Sequence, residues 1–150
     1  MSRCNKTVII AKHSKLLESR HEGKVMTEDF LGLFSSDSNV VPLKPGQELF
    51  KKGDLGKHMY VVKSGDVQVV DGNHVFETVS SGGIVGEMAL VNEEPRTATV
   101  RALSASEVIV VDQKRFLFLV QVTPFFAIRV MRVISGRLRA MNDRMVSLPE

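Results

Sequence analysis

The residue types best suited to chemistry lie within residues 82–99, where a glycine-rich turn is followed by one acidic and one basic side chain. Glycine permits a positive φ and allows the backbone to approach a ligand closely. The glycines of the turn are Gly82, Gly83 and Gly86. The acidic side chain is Glu87 and the basic one is Arg96. This combination predicts a binding site for a small charged molecule.

Residues 88–90 suit a single helical turn, which we expect to end at Pro95 because the residue before a proline avoids the helical region. The N–H groups at the start of a helix carry partial positive charge and bind anions. Arg96 adds a planar guanidinium, which can hold two phosphate oxygens at once. Glu87 only accepts hydrogen bonds, so it suits a hydroxyl of the same ligand. An anion site beside a hydroxyl site predicts a ribose phosphate.

The stretch from residue 86 to residue 100 resembles the phosphate-binding cassette of the cyclic-nucleotide-binding domain family. This family includes bacterial catabolite activator proteins, kinase regulatory subunits and cyclic-nucleotide-gated channels. The matching residues are Gly86, Glu87, Ala89, Leu90 and the run Pro95-Arg96-Thr97-Ala98-Thr99-Val100. A second matching stretch, residues 50–65, lies upstream where the family has it, although Phe50 is bulkier than is usual there. The resemblance covers roughly residues 28–145.

The resemblance implies a role for each residue of the cassette. Arg96 would pair with the exocyclic oxygens of a cyclic phosphate, and Glu87 would accept a hydrogen bond from the ribose 2′-hydroxyl. The backbone N–H groups that would donate to the phosphate and ribose belong to Gly86, Ala89 and Ala98. Met88 is also counted among the ligand-binding residues, although with Leu90 it is expected to anchor the turn in the core. Thr97 permits cyclic GMP without excluding cyclic AMP, and we favour cyclic AMP.

The base of the nucleotide requires apolar walls. By alignment to channel members of the family, Val69 and Val79 would line the base. Val85, at the start of the cassette, completes the predicted apolar lining. Arg137 and Met141, on the last helix, would cover the base. Ordinary core positions for the two aligned valines and a solvated position for Arg137 are the alternatives.

Size and composition narrow the classes of function. With 150 residues, 43% hydrophobic and 25% charged, the chain has the composition of a globular domain that buries a core. Cys4 is the only cysteine, which excludes an internal disulfide and is consistent with the cytoplasmic location that we expect. No apolar run approaches the roughly 20 residues of a membrane span, and we expect neither a signal peptide nor a membrane partner. The four histidines lack metal-ligand spacing, and no nucleophile–base motif indicates catalysis, so we expect no metal, catalytic residue, cofactor or enzyme activity.

Between residues 39 and 112, short apolar runs alternate with turns that contain glycine, proline and aspartate. This pattern is typical of a β-sandwich or β-barrel. The predicted strands are residues 40–43, 48–50, 58–63, 66–70, 75–79, 97–103 and 107–111. With the resemblance, we expect a mainly β fold with flanking helices. It would be a double-stranded β-helix (jelly roll, or β-roll) with a short phosphate-binding helix and a C-terminal helical lid.

Helices are predicted at both ends of this β region. They are residues 9–18, residues 28–34 after an N-cap at Thr27, residues 114–120 after an N-cap at Asp112, and a long last helix from Pro124. The apolar stripe of the last helix comprises Phe125, Ile128, Met131, Val133, Ile134, Leu138, Met141 and Met145. The predicted divisions are an N-terminal extension or linker (1–26), the β-roll (27–123, cassette 82–99), and the lid helix and tail (124–150).

We expect a non-enzymatic regulatory module that binds a cyclic mononucleotide and transmits binding through movement of its C-terminal helices. Its partners would be cyclic AMP or cyclic GMP and an effector protein or domain, and a homodimer is a further alternative. The alternative function is a nucleotide-free structural or dimerisation module that uses Phe125, Phe126 and the apolar stripe. Intact Glu87 and Arg96 argue against it. Residues 124–150 contain five arginines and two acidic residues. This small basic excess makes nucleic acid a third alternative as a partner, which we rank below the other two.

Overall fold

The computed structural model describes residues 30–37 and 39–147. The chain divides into two units between Ser36 and Asp37. In the first unit, residues 30–32 are helical and residues 33–36 form turns, so this helix ends before the predicted residue 34. Phe30 and Phe34 are buried, and their ring centroids lie 5.5 Å apart. The predicted helix 9–18, the N-cap at Thr27 and the predicted extension 1–26 lie outside the described residues.

The described part of the second unit is built on two four-stranded sheets. The strands are β1 (Val40–Leu43), β2 (Glu48–Phe50), β3 (Met59–Ser64), β4 (Val67–Asp71), β5 (His74–Val79), β6 (Ile84–Val85), β7 (Thr99–Ala102) and β8 (Ser106–Val111). One sheet has the order β1-β8-β3-β6 and the other has the order β2-β7-β4-β5. All paired strands are antiparallel. The predicted fold class, mainly β with flanking helices, is confirmed.

The strand boundaries follow the turn signals of the sequence closely. Strands β1 and β2 begin and end at the predicted residues, and the other predicted strands differ from the observed ones by one or two residues. Strand β6 was not predicted, because it contains only two residues between glycines. It pairs with β3 through Tyr60 with Val85 and Val61 with Ile84. This pairing fixes the chain immediately before Gly86.

The core between the sheets consists largely of valine. Branched side chains are stiff at χ1 and pack well on a pleated sheet, which favours valine at these positions. The buried members of the core cluster are Leu43, Val62, Val67, Val79, Val85, Val100, Ala102 and Val108. Fully burying one valine contributes roughly 1.5–3 kcal/mol. Val85 and Val100 belong to this rigid core, so the segments that they flank are held at both ends.

Three helices complete the second unit. They are α1 (Glu87–Asn92), α2 (Gln113–Val122) and α3 (Pro124–Ser147). Helix α1 follows Gly86, which has a φ of 77°, and it ends because Glu93 has a φ of 54°, two residues before the expected stop at Pro95. The Asp112 side chain accepts from the N–H of Arg115 at 2.7 Å and caps α2. Within the described residues no single helix is long and apolar enough to cross a membrane. Only α2 and α3 taken together have that length and composition, and their axes are bent by 117°.

Helix α3 has a packed face and an exposed apolar face. It packs through Phe126 and Val130, which are buried, and the Phe126 ring meets Phe116 edge-on at 5.4 Å. Most of the predicted apolar stripe is instead exposed. Its exposed members are Phe125, Ile128, Met131, Leu138, Met141 and Met145. The stripe is therefore a surface of α3, and other side chains attach the helix to the sheets.

Candidate functional site

A hollow lies between the β6–α1 junction, the segment before β7, and α3. Ten of the predicted site residues line it. They are Val69, Val85, Gly86, Glu87, Met88, Ala89, Arg96, Thr97, Ala98 and Arg137. Phe50, Pro95 and Val100 also line it and were not predicted as site residues. The hollow has room for about 80 Å³ of solvent, which is small for a ligand site.

Two predicted residues do not line this hollow. Val79 is 5% exposed and belongs to the core cluster, where it pairs with Val67 across the sheet. Met141 is 61% exposed on the surface of α3. Leu90 is buried and anchors α1, as expected. Met88 is 39% exposed and lines the hollow, so its predicted role as a core anchor is wrong while its place at the site is kept.

Arg96 is buried, with 6% of its surface exposed. Its Nη1 donates to the Gly86 carbonyl at 3.0 Å, and its Nη2 donates to the His58 carbonyl at 2.7 Å. The guanidinium lies over the Phe50 ring, 4.0 Å from the centroid, a favourable cation–π distance. These contacts fix the plane of the guanidinium, and the burial of Arg96 shows that it is not a surface arginine.

The third nitrogen of the Arg96 guanidinium, Nε, makes no such bond in the described part of the chain. The Nε atom is buried and has no hydrogen-bond partner among the described residues. Burial lowers the pKa of Arg96, and the charges of Tyr60, Glu87 and Asp54 oppose this effect. Arginine nevertheless stays protonated in proteins. A buried cationic donor without a partner is unfavourable, so this atom is suited to an anionic acceptor.

Two glycines make room for this guanidinium. A Cβ atom on Gly56 would lie 2.5 Å from Nη2 and 2.6 Å from Nε of Arg96, closer than real Cβ contacts. A Cβ atom on Gly86 would lie 2.7 Å from Nη1, and the positive φ of Gly86 also favours glycine. The position of the guanidinium therefore depends on the absence of a side chain at both residues.

Glu87 is the other buried charge of the hollow, with 2% of its surface exposed. Its Oε1 accepts a hydrogen bond from Nη1 of Arg137, on α3. Its Oε2 is buried and has no partner among the described residues. A carboxylate oxygen can only accept, so Oε2 requires a donor such as a hydroxyl.

Arg137 joins the helix α3 to the cassette. Besides its bond to Glu87, its Nε donates to Oε2 of Glu77 at 2.8 Å and its Nη2 donates to the Ile84 carbonyl at 2.6 Å. Burial alone would lower the pKa of Arg137, but the charge and hydrogen bond of Glu87, with those of Glu77, outweigh it and raise the pKa. We predicted Arg137 as a cover for the base, and the structure places its guanidinium on Glu87 and Glu77.

Two further arginines attach α3 to the same stretch of chain. Arg129 donates to the Gly82 carbonyl at 2.9 Å, and Arg144 donates to the Phe76 carbonyl at 2.9 Å. With Arg137 they follow one face of the helix, since spacings of seven and eight residues return to the same side. Three of the five arginines in this helix therefore bond to the β-roll, which reduces the basic surface left for nucleic acid.

Two residues that line the hollow carry complementary buried atoms without partners among the described residues. Oε2 of Glu87 needs a donor, and Nε of Arg96 needs an acceptor. The charge of Glu87 acts on Arg96, which places the two groups in one electrostatic environment. The surrounding walls include apolar side chains of Val69, Val85 and Phe50. The arrangement suits a small molecule that carries a hydroxyl, an anionic group and an apolar ring.

Known sequences are similar to parts of this chain. The sequence model of the cyclic nucleotide-binding domain matches residues 40–122. A cyclic nucleotide-gated channel of Caenorhabditis elegans is 39% identical over 46% of this chain and 10% of the channel. A cGMP-dependent protein kinase of Toxoplasma gondii is 34% identical over 61% of this chain and 9% of the kinase. A cAMP-dependent protein kinase regulatory subunit of Debaryomyces hansenii is 37% identical over 59% of this chain and 23% of the subunit.

Solved structures share the fold. The Thermus thermophilus catabolite activator protein has a TM-score of 0.67 and 25% identity, over 78% of this chain and 57% of that protein. The cAMP-bound PfPKA-R fragment 141–441 has a TM-score of 0.62 and 25% identity, over 69% of this chain and 36% of that fragment. The chain spans at most about a quarter of the length of the three sequence relatives. Since the family model covers more than half of the chain, this protein belongs to the cyclic nucleotide-binding domain family.

Proposed function

We propose that this chain is a non-enzymatic regulatory module that binds one cyclic mononucleotide in the hollow. The observation that carries the proposal is a pair of buried atoms that have no partner in residues 30–37 and 39–147, Oε2 of Glu87 and Nε of Arg96. A ribose 2′-hydroxyl donates to the first, and an oxygen of the cyclic phosphate accepts from the second. One ligand thus satisfies both groups, each of which is unfavourable when buried alone.

Cyclic AMP is the ligand that we favour over cyclic GMP. Thr97 lines the hollow, and its hydroxyl is compatible with either base. Val69 and Val85 supply apolar contacts that do not depend on the identity of the purine. The similar proteins include a cAMP-bound PfPKA-R fragment and a cGMP-dependent protein kinase of Toxoplasma gondii, so they do not favour one base. The preference is tested by measuring the affinity of this chain for each nucleotide.

Binding would be transmitted through α3. The room of about 80 Å³ is below the roughly 300 Å³ at the small end of ligand pockets, so a nucleotide requires a wall of the hollow to move. Arg137 connects that wall directly to α3 through Glu87. A coupling of about 1–3 kcal/mol between ligand and helix position is sufficient for a regulatory response. The receiver would be a cytoplasmic effector protein or domain.

A second copy of the chain is a further partner, and the exposed face of α3 supports it. The exposed positions repeat with the alternating three- and four-residue spacing of a coiled-coil seam. They are Ile128, Met131, Ser135, Leu138, Asn142 and Met145. An asparagine in such a seam favours a defined register, and a parallel pair also avoids placing Arg132 and Arg139 against their counterparts. We therefore propose a parallel homodimer through this face.

Thermal-shift measurements with cyclic AMP and with cyclic GMP test the proposed function. A ligand that binds only the folded chain raises Tm in a concentration-dependent manner, and we expect this with micromolar or tighter affinity. Size-exclusion with light scattering on the same samples is expected to give about twice the 16.6 kDa of one chain. A dimer whose Tm responds to neither nucleotide would favour the nucleotide-free dimerisation module instead.

Changing Gly56 to alanine is expected to weaken nucleotide binding about tenfold. The added Cβ displaces the Arg96 guanidinium, which loses a hydrogen bond of a charged group worth roughly 1.5 kcal/mol. Calorimetric titration measures the affinity. Gly32→Ala is the matched control, because a Cβ there meets no atom within 4 Å. Unchanged affinity in folded Gly56→Ala protein would show that the guanidinium position is unimportant.

A further inference from the structure

The side chain of Glu77 is linked to the candidate site through Arg137. It lies on β5, the edge strand of its sheet, and its side chain is 42% exposed. Glu77 is not part of the hollow's lining, and its Oε2 accepts from Nε of Arg137 at 2.8 Å. We infer that Glu77 is a positioning residue that preserves selectivity for a ribose hydroxyl, because it restricts Arg137 to one oxygen of Glu87. This inference rests on the proposed function.

The geometry of Arg137 carries this inference. A guanidinium beside a carboxylate tends to form two parallel N–H bonds, one to each oxygen. Here Nε is held by Glu77 and Nη2 is held by the Ile84 carbonyl. The third nitrogen, Nη1, bonds to Oε1 of Glu87. Oε2 of the same carboxylate is buried and has no partner within the described part of the chain.

The ligand is affected because only one of the two oxygens of Glu87 is bonded to Arg137. Without the charged anchor of Glu77, the guanidinium of Arg137 is free to turn and meet both oxygens of Glu87. The remaining anchor is the neutral Ile84 carbonyl, which makes a weaker bond to a cation than a carboxylate does. A twofold pairing would saturate Oε2, and the 2′-hydroxyl of a ribose would then find no free acceptor. The phosphate contact at Arg96 would be unaffected.

The test compares cyclic AMP with 2′-deoxy cyclic AMP by calorimetric titration of wild-type and Glu77→Gln protein. We expect wild type to bind cyclic AMP more tightly than the deoxy analogue. Glu77→Gln should reduce the selectivity ratio, the dissociation constant of the deoxy analogue divided by that of cyclic AMP, about fivefold, which is roughly the loss of one net hydrogen bond. The loss should fall on cyclic AMP, with the deoxy analogue unchanged. Glu107→Gln removes the same charge from an exposed strand position on β8 and should leave the ratio unchanged.

A second background separates positioning from a merely structural role. Arg137→Lys keeps a positive charge beside Glu87 but cannot form the fork, so Glu77→Gln should no longer alter the ratio in that background. An equal loss of affinity for both ligands in Glu77→Gln would overturn the positioning role. So would the same reduction of the ratio in the wild-type and Arg137→Lys backgrounds. A wild-type protein that binds neither ligand, or both equally, would refute the proposed function. Wild-type selectivity that survives Glu77→Gln intact would refute only this inference.

Discussion

Replacing Arg96 with alanine is expected to weaken cyclic nucleotide binding by more than a hundredfold. Arg96 is 6% exposed, and its buried Nε is the proposed cationic donor to the phosphate. Leaving the partner of a buried charge unpaired typically costs about 3–5 kcal/mol, and each 1.4 kcal/mol corresponds to a factor of ten in affinity. Calorimetric titration with cyclic AMP measures the change directly.

Controls are needed because Arg96 also binds two backbone carbonyls. Arg96→Lys retains the charge but cannot hold both carbonyls and the phosphate, so it should bind nucleotide weakly while preserving more of the fold. Arg101→Ala removes a half-buried arginine of β7 that does not line the hollow, and its affinity should match that of wild type. A folded Arg96→Ala protein with wild-type affinity would contradict the assignment of the phosphate site.

Replacing Arg137 with alanine is expected to lower the free energy of unfolding by about 3 kcal/mol, even without nucleotide. The substitution leaves the Glu87 carboxylate, which is 2% exposed, without the cation that neutralises it. We take the low end of the usual range for a broken buried pair because the Arg137 side chain is itself 25% exposed. Urea denaturation of the two proteins measures the difference.

Two further variants show whether this loss arises from Glu87. Arg139→Ala removes an exposed arginine from the same helix and should change the unfolding free energy by less than about 0.5 kcal/mol. Adding Glu87→Gln to Arg137→Ala removes the stranded charge and should recover part of the loss. Equal stability of Arg137→Ala and wild type would mean that the pair between α3 and the cassette contributes little.

The fold was predictable because its signals are local. Turn residues separate the strands, and the first two strands begin and end at the predicted residues. Strand β6 was missed because two residues give no alternation, and its place in the sheet comes from pairing with the distant strand β3. The stripe of α3 was correctly identified as apolar. Its exposure was expected only under the dimerisation alternative, because helical periodicity does not reveal which apolar face meets the sheets.

The site was predictable where its residues are close in sequence. The types and spacing of Glu87 and Arg96 after the glycine turn predicted that these two residues belong to one site, and both line the hollow. The bonds of Arg137 were not predicted, because they join residues separated by 50 to 60 positions. Phe50 was noted as unusually bulky, and the structure explains that bulk by its contact with the Arg96 guanidinium. Contacts of this kind depend on the fold and leave only weak traces in one sequence.

We propose that one ligand satisfies both Oε2 of Glu87 and Nε of Arg96. The most direct measurement is a calorimetric titration of the wild-type chain with cyclic AMP and with its 2′-deoxy analogue. We expect saturable binding of one cyclic AMP per chain with micromolar or tighter affinity. The deoxy analogue should bind at least about tenfold more weakly than cyclic AMP, as expected for a buried acceptor without its donor. No heat of binding with cyclic AMP, or equal affinity for the two ligands, would contradict this proposal.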